Sequence, residues 1–446
     1  MITLNEFVTK YNGQKVDYDK FYGPQCFTKD HYVLMSDWTY KAIQDIQVGD
    51  KVIGYDNNVN TVTQVFKSIK KVVHIKTELC DFYVTPDHPF YFKDGTFSPA
   101  MNLITKSPAL YDKENFAPSG LTDNELLFLG FWLGDGNIAK HKDERTDEIR
   151  ITYGLKKADF IHSLNIISTE RLHHETNNAF VASIRKMEHP LLTKIILEKC
   201  AGEYKKLPLI FNNRESELIL KGLIHADGSL HHNSYVITNT SPALLYAAQA
   251  ICIKLGYKTK SVRLSKRSSD YIKIKGKLIK SVKPLYRFTI NTNLKTTHNE
   301  QIEIEEPFEA EVFNLETDNT HTYICNNYKV HNCVDLFRQY CQDVVGCGHT
   351  GSVEGAKDLY LNYNKLPKEK ESFTRIANPK NPKPGDVAVW GESSTNKYGH
   401  VAIIIGTLND DLIVFEQDGF KQDGAKINLR GRNNFLGVLR PTRGGK

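Results

Sequence analysis

Two stretches of this chain repeat one another roughly ninety residues apart: FLGFWLGDG at 128–136 and LKGLIHADG at 220–228. Each is apolar and each ends in Asp-Gly, at Asp135 and Asp227. Each also carries small residues at i and i+4, Gly130 with Gly134 and Gly222 with Ala226. Helical spacing puts those small residues on one face, so two such helices can cross with their backbones unusually close. The two acids would then sit side by side at the helix ends. One Asp-Gly is an ordinary helix stop. Two of them, each closing a glycine-bearing apolar helix, predict an internally duplicated α/β unit about a pseudo-two-fold axis.

That unit cannot account for the whole chain, because 446 residues are too many for one ordinary core. With 40% hydrophobic and 25% charged residues the rest is also globular. Residues 26–110 read as short strands (VLM, KVIGYD, KVVHIKT, DFYVTP, PFYF) separated by turn signals, and 308–332 return to that character. Residues 1–25 hold a short helix, LNEFVTKY, and a loop; they are too few to build a core. Residues 333–446 open on a helix-like segment, CVDLFRQYCQDVVG, and later carry a hairpin pattern, HVAIIIG–TLNDD–LIVFEQ. The eight cysteines form no CxxC pair, which argues against a zinc site or disulfide framework and fits a reducing compartment. No run of about 18 apolar residues is present, and MITLNEFVTKYNGQKVDYDK has no apolar signal region. Neither membrane insertion nor a signal peptide is expected. The net charge of +6 is unevenly spread: Lys254 to Arg287 is dense in Lys and Arg and holds one acid, Asp270, as a phosphate-tracking surface would.

Segment 26–332 resembles an intein. CFTKDHYVLM with IQDIQVGDKVIGYD looks like the family's first block, TPDHPF its Thr-x-x-His block, and EVFNLETDNTHTYICNNYKVHNC its two closing blocks. The chemistry needs these residue types. The Cys26 thiol can attack the Gln25 carbonyl to give a thioester, and the departing amide must be protonated while the oxyanion finds donors. The resemblance implies Thr85 and His88 for those tasks, Cys333 as second nucleophile, Asn332 as the residue that cyclises, and His321 and His331 as its assistants. Splicing of this kind needs no cofactor and acts in cis on one chain. The sequence departs from many inteins at Asn314, where they carry an acid.

The duplicated helices resemble the two motifs of LAGLIDADG homing endonucleases, which commonly lie inside inteins. The resemblance implies that Asp135 and Asp227 hold Mg²⁺ and cut both strands of double-stranded DNA at an intein-less allele site. It also implies a catalytic lysine, for which Lys206 is a candidate, and a DNA-contacting role for 254–287.

The join of 1–25 to 333–446 resembles a CHAP domain, a papain-like cysteine peptidase or amidase module of peptidoglycan hydrolases, through KPGDVAVW, YGHVAIIIG and LIVFEQDG. The resemblance implies Cys333 as nucleophile at a helix start, His400 as base, Glu416 as its orienting acid and Asp418 on the same face. Asp17, Asp19 and Asp335 form a candidate Ca²⁺ loop.

The expectation is thus a multidomain protein. Its parts are an all-β HINT splicing domain (26–115 and 301–332), an α/β duplicated LAGLIDADG domain (116–300), and an α+β papain-like CHAP domain split by the insertion (1–25 and 333–446). The expected function is a self-splicing precursor of a wall hydrolase acting on bacterial peptidoglycan. It would be made in the cytoplasm of a phage-infected bacterium and delivered by another exit route. Two alternatives stay open: a splicing-defective chain acting mainly as a DNA endonuclease, and a HINT domain that cleaves without ligation.

Overall fold

The computed structural model describes residues 1–14, 16, 26–86, 88–94, 97–140, 147–173, 178–265, 271–274, 277–280, 283–295, 303–317, 322–331, 335–347, 356–393, 399–417 and 424–442. Gln25, His321, Asn332, Cys333, Asp17, Asp19 and Asp418 lie outside them, as do the side chains of His331 and Asp335.

The first helix, Leu4–Tyr11, is closed at its start by a reciprocal capping box between Thr3 and Glu6. Eight residues are too few to hold a helix in water, so its stability comes from what it packs on. Phe7 and Tyr11, with Val16, are buried in a core otherwise built from 336–439. The Phe7 ring meets Tyr340 at 5.5 Å and Phe415 at 6.1 Å, both edge-on. Backbone bonds join the same two parts: Ile2 N–H to Asp343 O at 2.8 Å, Gly13 N–H to Ala425 O and Ala425 N–H to Gln14 O at 2.7 Å each. The sheet beneath has six antiparallel strands in the order 373–377, 435–441, 387–390, 400–408, 411–416, 426–430. Residues 1–16 and 335–442 are therefore one folded body, although more than three hundred residues separate them in sequence.

Between them lies an all-β body whose strands come from both ends of the insertion. Phe308–Thr317 pairs along Val59–Lys76 and also with Phe27–Thr28, Thr322–Cys325 pairs with Tyr32–Leu34, and Tyr328–His331 pairs with Pro89–Tyr91. Phe27, Phe82, Phe90, Tyr323 and Tyr328 fill one core. This interleaving brings the start of the insertion, Cys26, and its last strand into the same small fold.

The third body holds the repeat. Helices Asp123–Asp135 and Asn213–Asp227 each begin with a capping box, at Thr122/Glu125 and Asn212/Glu215. Each runs into an antiparallel sheet: Gly136–Lys140, Asp147–Gly154, Ala179–Ser183 and Thr169–Leu172 after the first, and Gly228–His231, Ser234–Asn239, Tyr286–Lys295 and Tyr257–Thr259 after the second. The helices touch backbone to backbone. A Cβ on Gly130 would overlap the Ile219 carbonyl, and one on Gly222 the Leu127 carbonyl, so only glycine fits at either crossing. The core of this body extends onto the β body through Leu34, Tyr40, Ile53, Tyr111 and Ile324. Among the described residues, no helix is long and apolar enough to cross a membrane.

Candidate functional sites

At the upstream end of the insertion, Cys26 is fully buried among Val72 and Val312. Its backbone N–H, the nitrogen of the Gln25–Cys26 peptide, donates to Thr85 Oγ1 at 3.0 Å, and Thr85 N–H donates to Cys26 O at 2.9 Å. The tight turn after strand Asp81–Val84 continues with His88 N–H to Thr85 O at 3.1 Å. His88 is fully buried, its ring 4.2 Å from Phe27 and 5.7 Å from Phe90. The sequence pattern TPDHPF thus delivers a hydroxyl onto the peptide nitrogen and an imidazole against the ring of the next residue, Phe27. The pairing of Phe27 with Phe313 puts Asn314 next in register to Cys26. Asn314 is buried and accepts from the Tyr323 hydroxyl at 3.2 Å.

The downstream strand runs beside this site. Val330 pairs with Phe90, two residues after His88, and His331 pairs with Thr322. Thr322 is itself braced: Tyr55 N–H donates to its Oγ1 at 3.1 Å and Asn60 Nδ2 to its O at 2.8 Å. Neither Asn60 nor Thr322 carries a motif signal in the sequence.

At the ends of the paired helices, Asp135 and Asp227 come together with two lysines. The Lys157 ammonium pairs with Asp135 and donates to Ala226 O at 2.6 Å. The Lys205 ammonium donates to Trp132 O at 2.9 Å and Gly134 O at 2.8 Å. Asn239 Nδ2 donates to Asp227 Oδ2 at 2.6 Å. Burial pushes the Asp227 carboxyl up to about 6; the Asn239 bond opposes this and the charge of Asp135 adds to it. Burial lowers Lys205 to about 8. The lysine that reaches the helix ends is Lys205, not its neighbour Lys206, whose backbone bonds Cys200 O. Lys157 comes from the start of the short helix Ala158–Ser163 and has no motif spacing to announce it.

The donor set suits a hard divalent cation. Two carboxylates of like charge adjoin two helix-terminal carbonyls, and the raised value of Asp227 comes first from burial, with the charge of Asp135 a smaller contribution. The described residues hold no cluster of three or more His, Cys, Asp or Glu that could bind a metal. The remaining ligands would therefore be water and phosphate oxygens, as Mg²⁺ prefers.

On the six-stranded sheet, His400 Nε2 lies 2.6 Å from Glu416 Oε2. Glu416 is 1% exposed. Asn428 Nδ2 donates to its other oxygen at 2.6 Å, and Arg430 Nε also reaches Oε2. Burial alone would raise this carboxyl. The bonds from His400, Arg430 and Asn428 outweigh it and hold the group down at about 2. The His400 ring sits 5.8 Å from Trp390. Helix Asp335–Tyr340 packs on this sheet and is tied by the Tyr340 hydroxyl to Gly385 O at 2.8 Å. Cys333, Asp17 and Asp19 fall outside the described residues, as does the side chain of Asp335.

Comparison with known proteins gives two family matches. Residues 26–87 match the model described as Hom_end-associated Hint, and residues 323–418 match the CHAP domain model. The chain carries a Hint domain of the homing-endonuclease-associated kind together with a CHAP domain. The first nine residues of the CHAP match, 323–331, are paired into the Hint sheets, so the CHAP body proper begins after them. Among solved structures, I-DmoI in complex with DNA and Mn is 20% identical, covering 38% of this chain and 89% of its own, with a TM-score of 0.26. A bacterial intein-like domain from Clostridium thermocellum is 12% identical over 69% of this chain and 99% of its own, TM-score 0.23. A substituted form of the gp41-1 intein is 12% identical over 69% and 100%, TM-score 0.21. No curated protein matches the chain.

Proposed function

We propose that the chain is a self-splicing precursor. Segment 26–332 excises itself and joins Gln25 to Cys333, and the product is a CHAP-type cysteine amidase or endopeptidase that cuts bacterial peptidoglycan. The observation that carries this reading is the single core shared by 1–16 and 335–442, interrupted by a body whose first residue has its peptide nitrogen on the Thr85 hydroxyl.

The thiol of Cys26 attacks the Gln25 carbonyl carbon, and the C–N bond breaks. Thr85 aligns the departing nitrogen and His88 supplies the proton it takes up. Cys333 then displaces the Cys26 thiolate, transferring residues 1–25 to its own sulfur. The Asn332 side-chain amide nitrogen attacks its own backbone carbonyl, closing a succinimide and freeing the amine of Cys333, with His331 and His321 assisting. That amine takes the acyl group from the adjacent sulfur, leaving an ordinary peptide bond. Burial of Cys26 and His88 keeps water from intercepting the thioester.

The excised segment is proposed to cut double-stranded DNA at the intein-less allele. A bound Mg²⁺ would polarise the phosphate and activate water. Asp135 and Asp227 would hold it, Asn239 would fix the rotamer of Asp227, and Lys157 and Lys205 would offset phosphate charge. In the ligated product, Cys333 is the nucleophile, His400 takes and returns its proton, and Glu416 fixes the imidazole, with Asp418 as a further polar partner. Asp17, Asp19 and Asp335 are proposed as a Ca²⁺ loop of that module, and no step is routed through it.

Mass spectrometry of the expressed chain tests this directly. The expected species are ligated 1–25/333–446 and free 26–332. A chain that stays intact at several temperatures, or an Asn332→Ala variant that ligates and releases normally, overturns it.

A further inference from the structure

The hairpin that ends the insertion turns at two residues, Asn326 and Asn327, with φ of 48° and 68°. Consecutive left-handed residues make the tight turn that matches strand twist, and asparagine tolerates them. Such turns ordinarily point into water. This one is buried, each asparagine being 1% exposed.

Its polar groups are met from three directions. From the β body, Tyr32 N–H donates to Asn326 Oδ1 at 2.7 Å, the Tyr40 hydroxyl donates to Asn327 Oδ1, and Cys80 Sγ accepts from Asn326 Nδ2 at 3.2 Å. The connecting segment supplies Tyr111 N–H to Asn327 O at 2.7 Å. Both partners of Asn327 Nδ2 come from helix Pro242–Lys254 of the endonuclease-like body: Tyr246 O at 3.2 Å and Gln249 Oε1 at 2.9 Å.

Gln249 is fully buried and uses its whole amide. While Oε1 accepts from the turn, Nε2 donates to Leu79 O at 2.8 Å and to Lys260 O at 3.1 Å. Tyr246, three residues earlier, adds ring contacts to Tyr32 at 5.4 Å and Tyr40 at 6.2 Å. A buried amide donor that loses its acceptors keeps its desolvation cost. Without this helix, Asn327 could hold its place only by admitting water to the core.

We infer that Gln249 is a positioning residue for the downstream splice junction: the endonuclease-like body is built into the splicing fold and fixes the hairpin whose last strand leads into Asn332. The inference rests on the splicing reading above. Four residues beyond Asn327, His331 closes the strand, so a shift of the turn moves the residue that must cyclise relative to the site beside Phe90. The upstream step draws on Cys26, Thr85 and His88, whereas the bonds described for Gln249 go to Leu79, Lys260 and Asn327.

The test uses the full chain, followed by mass over time. Upstream thioester formation is read separately, as release of 1–25 by an added thiol. For Gln249→Ala the expected result is about tenfold slower release at Asn332, with thiol-induced release of 1–25 within about twofold of wild type. Asn327→Gly, which keeps the left-handed backbone and removes only the side chain, should give the same split. The double variant should be slowed by less than the two single effects combined, because the bond between Gln249 and Asn327 is lost in both. Unchanged release at Asn332 in Gln249→Ala, equal slowing at both junctions, or additive effects in the double variant each overturn the inference. A wild-type chain that never processes overturns the splicing reading instead, and this with it.

Discussion

Two carboxylates in this molecule, the buried Glu416 and the half-buried Asp227, have much in common and are shifted in opposite directions. Each accepts a hydrogen bond from an asparagine Nδ2 at 2.6 Å, Asn428 for the first and Asn239 for the second. Yet Glu416 is held at about 2 and Asp227 is pushed to about 6. Burial raises both, so it does not explain the difference, and neither does the asparagine. What differs is the placement of charge. At Glu416, His400 and Arg430 both reach the same oxygen. At the helix ends, Lys157 pairs with Asp135, the Lys205 ammonium bonds carbonyls, and Asp227 faces the charge of Asp135. The first carboxylate is a finished orienting group for an imidazole. The second is only partly compensated: burial and the charge of Asp135 outweigh the Asn239 bond and the charges of Lys205 and Lys157.

The largest effect should come from emptying the unfinished site. Asp227→Ala and Asp135→Ala are each expected to lower DNA cutting by about 10³-fold or more, while splicing stays within about twofold. Linear-plasmid formation and mass spectra of one preparation read the two. Cutting that survives Asp227→Ala would break the functional half of the comparison.

The finished site is next. In the spliced product, Glu416→Gln should cost wall hydrolysis about 10²-fold and lower stability by about 2 kcal/mol by leaving Arg430 unneutralised on a half-exposed edge. Turbidity loss of cell-wall suspensions and thermal melting measure these. pH offers a way to sharpen the point. The folded value of Glu416 lies below its ordinary 4.5, so its contribution is fully present above about pH 4.5 and is lost as pH falls toward 2. The loss should reach up to about 3 kcal/mol, and the pH slope of melting between 5 and 2.5 should flatten in Glu416→Gln. An unchanged slope would show that the His400 and Arg430 bonds do not set this group. The smallest change should be Asn428→Ala, worth about 1 kcal/mol, with activity down a few-fold.

How legible each part is follows from how local its cause is. The paired helices announce themselves because close backbone contact needs glycine, and Gly130 and Gly222 stand at the crossing. His400 and Glu416 are readable because they lie on consecutive strands of one hairpin. Their supports are not. Lys426–Arg430 alternates between half-buried and exposed positions, so Asn428 and Arg430 look like surface residues until the strand is paired. The sequence offers Lys206 where Lys205 does the reaching, because the choice between neighbours depends on how the chain leaves Cys200. Nothing in the sequence marks Asn326-Asn327 as a buried turn; its burial is a product of the helix that covers it, far away in sequence.

The shared core of 1–16 and 335–442 makes the host module a socket. Nine residues lie between Val16 and Cys26 and three between His331 and Asp335, so these links span at most about 35 Å and about 14 Å. The guest hangs on two short leashes from a frame that is already assembled. Its two ends are brought near one another by the frame as well as by its own strands. Exchange of the guest for an unrelated domain should therefore leave the frame folded, provided that domain's ends lie within the reach of those leashes.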